Sequence, residues 1–180
     1  MNYIEYGLIS VGVIIVIWIF TYFLKTYNRF IKLKLDVERQ TSHVQAHLKK
    51  KFDLIPALTE VVKGYSKHEK GLLTEVTELR SQWGAAKNLD DKMKTSNMLE
   101  SALSKLLVVQ ERYPQIKADK SFNDIQRSIE YVERELLHER KVYNKRVSWY
   151  NQKVQEFPSN IIAKMFGFGQ KEFFSRDSEE

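Results

Sequence analysis

The sequence predicts an all-α fold: an N-terminal transmembrane helix followed by an elongated antiparallel four-helix bundle with long first and last helices. Three observations carry this. Residues Tyr6 to Leu24 form one uncharged apolar run. Beyond it, apolar residues recur at steps of three and four, the period of a helix face, and nowhere alternate for long with the period of two that a half-buried strand requires. Glycine and proline are sparse, 7 and 3 in 180 residues, which suits long helices.

The apolar run comes first. At about 1.5 Å per helical residue, Tyr6 to Leu24 spans close to the roughly 30 Å hydrocarbon core of a bilayer. Tyr3, Tyr6, Trp18 and Tyr22 lie towards its ends, where amphipathic rings favour the headgroup region. A cleaved signal peptide is the alternative, but it needs a basic stretch before the run and small residues after it. Here no Lys or Arg precedes the run and bulky Phe20 to Leu24 end it, so a retained anchor is expected. Lys25, Arg29, Lys32, Lys34 and Arg39 follow at once. The positive-inside bias then places the N-terminus outside and residues 25–180 in the cytoplasm of a cell membrane. The opposite orientation would carry all five cations across; it stays open because large domains translocate despite local charge.

The chain thus divides into an anchor (1–24), a helical bundle (25–157) and a short apolar C-terminal helix and tail (158–180). All 29 Lys and Arg and 22 of the 23 acids follow residue 24, Glu5 being the exception, so that part carries a net +7. Such a charge suits an anionic membrane surface. Nucleic acid is disfavoured, because the cations are interspersed with acids rather than gathered in a stripe, Lys49 to Lys51 excepted. With no cysteine, disulfides and thiolate metal sites are excluded.

The first bundle helix continues from the anchor, with Val37, Val44, Leu48, Ile55, Leu58, Val62 and Tyr65 on one face. Pro56 has no N–H for the Phe52 carbonyl, so a kink or a restart is expected there. Gly64 marks the end, and Ser66 with Glu69 reads as a capping box. The second helix runs from about Lys67 to Trp83, with Leu72, Leu73, Val76, Leu79 and Trp83 inward. After a turn at Gly84 and Asn88 to Asp91, the third carries Met93, Met98, Leu99, Ala102, Leu103, Leu106, Leu107, Val109 and Tyr113. Pro114 closes it by pushing Tyr113 out of helical dihedrals. Asp119 or Ser121 caps the fourth. Its seam is Phe122, Ile125, Ile129, Val132 and Leu136, then Tyr143, Val147, Tyr150, Val154 and Phe157, in heptad spacing. Pro158 stops it, and Ser159 is expected to cap a last helix, Asn160 to Phe166, which Gly167 ends. A fourth helix that returns fully would bring Phe157, Ile161, Ile162, Met165, Phe166, Phe168, Phe173 and Phe174 back towards the bilayer. They would pack on the base of the bundle or lie in the interface beside Lys164 and Lys171.

Few residues suggest chemistry. His43 and His47 share a helix face at a spacing that binds zinc, but no third ligand is evident. His68-Glu69 and His138-Glu139 begin a metalloprotease motif whose second histidine is replaced by Leu72 and Val142. No phosphate loop or nucleophile elbow is present. Tyr143-Asn144 and Tyr150-Asn151 repeat at seven residues. A seam tyrosine buries its ring and needs a partner for its hydroxyl. The pairs therefore set helix register, or form a recognition patch for another protein. Asp53, an acid among apolar neighbours, would cap the N–H groups near Pro56, or join Glu133 or Arg140 in a buried polar site.

These residues carry a resemblance. Tyr27-Asn28, the stretch from Leu48 to Leu58 with Asp53 and Pro56, and the stretch from Val62 to Glu69 with Tyr65 and His68 resemble the LemA family of prokaryotic membrane proteins. So do Phe122 through Ile129, Glu133 and Arg140 to Tyr143-Asn144, Val147 and Tyr150-Asn151, and the last motifs, Phe157 to Ala163, Phe166 to Phe168 and Phe173-Phe174. The resemblance covers nearly the whole chain in the family's order. It implies a single-pass anchor followed by a helical bundle, includes a relative needed for building magnetosome membranes, and implies no enzymatic reaction, cofactor or catalytic residue. The expectation is a membrane-anchored interaction or scaffold protein that is not an enzyme. It meets the bilayer through residues 6–24 and takes an unidentified protein partner, with self-association open. The alternative is a membrane-bound, hydrolase-like enzyme using Asp53, His68, Glu133 and Arg140.

Overall fold

A computed structural model describes residues 3–65 and 70–174. Six helices and no strand occur among them: α1 (Tyr3–Tyr65), α2 (Lys70–Ala85), α3 (Leu89–Arg112), α4 (Pro114–Ala118), α5 (Lys120–Gln155) and α6 (Ser159–Met165). The expected capping box at Ser66 to Glu69 lies outside the described residues. The helix does not restart at Pro56: α1 continues through it to Tyr65.

The apolar start of α1 is exposed and is long and apolar enough to cross a membrane. Its Ser and Thr hydroxyls are satisfied within the helix, Ser10 donating to the Gly7 carbonyl at 2.8 Å and Thr21 to the Trp18 carbonyl at 2.9 Å. That is a requirement in hydrocarbon, where no water completes such groups.

Two compact units form. The first comprises the chain to Gln40 with Tyr143–Phe173; the second comprises Thr41–Val142 with the chain from Phe174. In the first, α1 and α5 run antiparallel, since Phe30 meets Tyr150 (rings 6.4 Å apart) and Asp36 meets Arg146 (3.9 Å). Aromatic rings cluster in it beside buried Val37, Val147 and Ile162. Phe166 sits against Phe23 (5.6 Å) and Tyr27 (4.7 Å), and Phe168 stacks on Phe30 at 4.9 Å.

The second unit has an aliphatic core. Phe52, Ile55, Leu58 and Val62 from α1 meet Leu73, Val76 and Leu79 from α2 and Leu99, Ala102, Leu103 and Leu106 from α3, with Ile116, Phe122 and Ile129. The α2–α3 hairpin is antiparallel, with Glu75 near the start of one helix 3.9 Å from Lys105 near the end of the other. Trp83 stacks on Phe52 at 4.4 Å. Local chemistry sets the turns. The Asn88 Oδ1 accepts the Asp91 N–H (2.7 Å), and the Asp119 Oδ1 accepts the Phe122 N–H (3.0 Å), each satisfying an orphan donor of a first helical turn. Tyr113 is extended (φ −125°, ψ 85°) before Pro114, which opens α4.

Three expectations are corrected. Met98 is exposed, because it lies one position off the stripe that Leu99, Ala102, Leu103 and Leu106 bury. Phe157 is exposed because it follows the end of α5, where the heptad phase no longer applies. Ser159 does not cap α6. Its hydroxyl donates to the Lys153 (2.7 Å) and Glu156 (2.9 Å) carbonyls at the end of α5.

Candidate functional site

The stripe on α1 that carries Leu48 and Ile55 also carries Lys51, three residues after one and four before the other. Its side chain is fully buried and forms an ion pair with Glu133 of α5. One α5 heptad further on, the Arg140 Nη2 donates to the Asn97 Oδ1 of α3 at 3.5 Å. The structure therefore brings Glu133 to a buried cation, but that cation is Lys51. Asp53 points the other way: it is exposed and pairs with Lys49 at 2.7 Å, one turn earlier on α1. It neither caps the turn at Pro56 nor joins Glu133. Pro56 is exposed, and the Thr59 hydroxyl donates to the Ile55 carbonyl at 2.8 Å beside it.

Sequence reasoning missed Lys51 because it ends a three-lysine run that reads as solvated surface. Its phase with Leu48 and Ile55 was the available signal. Glu139 and Arg140, where the seam lacks an apolar residue, are half-buried. Ser96 and the His47 Nδ1 are buried without a hydrogen-bond partner among the described residues. An ammonium paired with one carboxylate holds two helices in register. A hydrolytic site requires in addition a nucleophile, a base and an orienting group within mutual reach. Among the described residues, His, Asp and Glu nowhere gather in threes. His43 is exposed. His68, Glu69 and the Tyr65 side chain lie outside the described residues.

The Tyr-Asn repeat builds a different kind of site in the first unit. Asn151, 5% exposed, uses both ends of its amide on the backbone of Lys171: its Nδ2 donates to the Lys171 carbonyl and its Oδ1 accepts the Lys171 N–H, both at 2.8 Å. The Tyr143 hydroxyl donates to the Glu172 carbonyl at 3.2 Å. The segment after α6 is thus clipped along α5 through its backbone. Tyr150 packs its ring on Phe30 and under the Lys171 ammonium (5.7 Å). Burial, reinforced by the Glu38 carboxylate, pushes its hydroxyl above the ordinary value of 10.0. Asn144 is half-buried and also has a partner. Heptad spacing revealed the tyrosines as seam residues; the tail that Asn151 binds, 20 residues away, left no periodic signal.

At the foot of the same unit, Tyr22, Lys25, Thr26, Arg29 and Phe30 on one face of α1, with Lys153 and Ser159, line an open cavity of about 270 Å³. Glu156 lies beside it. Lys153, at 2.5 Å, and Gln152 both donate to its carboxylate, holding its pKa below the ordinary 4.5, with Arg29 adding to the effect.

Known proteins match this chain along most of its length. MamQ 2, a magnetosome protein of Paramagnetospirillum magneticum, is 21% identical over 94% of this chain and 72% of its own length. MamQ of Magnetospirillum gryphiswaldense is 19% identical over 93% of this chain and 71% of its own. Protein LemA of Metamycoplasma hominis is 24% identical over 76% of this chain and 63% of its own. The LemA family profile matches residues 40–180, which take in the buried Lys51–Glu133 pair, both Tyr-Asn repeats and the tail they hold, and the chain belongs to the LemA family.

Proposed function

We propose that this protein is a single-pass membrane-tethered scaffold that recruits or organises a membrane-associated complex. Its N-terminus lies outside, and residues 25–157 form a cytoplasmic four-helix arrangement with long first and last helices. The observation that carries this reading is the exposed apolar start of α1, which runs without a break into the charged remainder of the same helix. A side chain that faces neither water nor protein needs lipid, and a tethered helical body offers long surfaces for partners. The basic residues Lys25, Arg29, Lys32, Lys34 and Arg39 support the orientation. The magnetosome relatives agree with a membrane-bound role. Tyr143, Tyr150, Asn151, Glu133 and Arg140 serve to hold the helices and tail. Asp53 and Pro56, both exposed, belong to the surface offered to partners. The hydrolase alternative loses Asp53 from its set of buried polar residues.

Single-molecule tracking in the native membrane tests the scaffold. A fluorescent fusion of the full chain should diffuse several-fold more slowly than the same fluorophore on residues 1–39 alone. Equal mobility of the two would contradict engagement with a complex.

A further inference from the structure

The cavity at the foot of the first unit has a charge and a position that the scaffold reading leaves unused. Lys25, Arg29 and Lys153 face it, and Glu156 offsets one of the three by its contact with Lys153. Tyr22 and Thr26 add hydroxyls. Its volume of about 270 Å³ corresponds to roughly nine waters at liquid density, room for a group of similar heavy-atom count.

Its position is fixed by the end of the apolar run. Tyr22 and Lys25 flank Leu24, and Phe166 packs on Phe23. The α6 segment therefore sits where the hydrocarbon ends. Ser159, Ile162 and Ala163 face inward, whereas Phe157 (80% exposed), Ile161 (53%) and Met165 (64%) face out. Ile161 and Met165 are four apart on one face, with Lys164 beside them. In water that apolar face is unfavourable; at a bilayer surface it enters the boundary between headgroups and acyl chains. A cationic cavity at the end of an exposed apolar helical run matches one molecule class: an anion carrying acyl chains.

We propose that this cavity binds the phosphodiester of one anionic glycerophospholipid from the adjoining leaflet. Lys25 and Arg29 hold the phosphate, and the exposed apolar start of α1 lies against its acyl chains. Arg29 supplies a planar fork of donors and Lys25 a point charge, the complement that phosphate oxygens take. Lys153 contributes less while Glu156 engages it.

The test uses the full chain in nanodiscs of mixed phosphatidylglycerol and phosphatidylcholine, released into native mass spectrometry to count retained lipids. Retention of one phosphatidylglycerol in preference to phosphatidylcholine is expected. Near an anionic surface each Lys or Arg contributes about fivefold; Lys25→Gln with Arg29→Gln should therefore lower the preference by about tenfold or more. The charge-matched control Lys94→Gln with Lys117→Gln, both exposed in the second unit, should leave it unchanged. The exchange Lys25→Arg with Arg29→Lys should keep most of it, and Glu156→Gln should raise it by freeing Lys153. Three results would overturn the site: no preference in the wild type, equal loss in the control, or displacement of the phosphatidylglycerol by inorganic phosphate. The last would mark a free-phosphate site. Failure to insert into nanodiscs would sink the anchor and this site together, whereas insertion without preference would sink this site alone and leave the scaffold reading standing.

Discussion

The two units use different means to hold α1 and α5. The second relies on aliphatic burial, with Leu48, Leu58, Leu99 and Leu106 among side chains almost wholly removed from water, and it holds the buried Lys51 ammonium against the half-buried Glu133. The first relies on rings and on backbone hydrogen bonds: Phe23, Tyr27, Phe30, Tyr150, Phe166 and Phe168 pack together, and Asn151 and Tyr143 bind the main chain of the tail. Aliphatic burial is non-directional and tolerates volume-conserving exchange, whereas an amide clip works only with one partner in one geometry. The second unit should therefore respond to lost volume and unpaired charge, and the first to single polar deletions.

The largest effect is expected at the buried pair. Glu133→Ala leaves the Lys51 ammonium uncompensated and should cost about 3 kcal/mol in denaturant unfolding of the detergent-solubilised chain. Lys51→Met with Glu133→Leu should recover most of it, because two apolar groups replace two charges without an orphan. If the double variant were as unstable as the single, the pair would be holding more than itself.

Next comes core volume. Leu99→Ala should cost about 3 kcal/mol through the cavity it opens, while Met98→Ala, one residue away and exposed, should change stability by under about 0.5 kcal/mol. Equal losses would place Met98 in the core after all.

A smaller effect is expected at the clip. Asn151→Ala removes two hydrogen bonds and strands the Lys171 backbone, for about 2 kcal/mol. The sharper readout is limited proteolysis, with cleavage between Gly167 and Phe174 rising while the second unit stays resistant. Unchanged cleavage would mean that the rings alone hold the tail.

The smallest is the pH response of Glu156. Its folded pKa lies below the ordinary 4.5, so its contribution is present above that pH and is lost as pH falls through the folded value. Melting temperature between pH 6 and 3 should fall slightly less in Glu156→Gln than in the wild type. An identical slope would remove the Lys153 contact from the account.

Much of this was legible in the sequence. Val37, Val44, Leu48, Ile55, Leu58 and Val62 are all buried as their spacing predicted, and Asn88, Asp119 and Tyr113-Pro114 mark helix ends for local reasons that need no tertiary information. What failed was of two kinds. Residue type misled at Lys51, where phase said core and charge said surface, and its partner Glu133 lies 82 positions away. Long-range geometry was invisible at Asn151, whose partner is a stretch of tail without periodicity. At Pro56, where a kink or a restart was expected, the helix does not restart: packed along one face, it tolerates one missing hydrogen bond on its exposed side.

Thiol accessibility decides whether the membrane-anchored helical body faces the cytoplasm, because the chain has no cysteine. Lys87, exposed between α2 and α3, is the position to replace, since Asn88 caps α3. With Lys87→Cys in intact cells, a membrane-impermeant maleimide should label only after lysis. Labelling before lysis would put the helical body on the outer side and contradict the account.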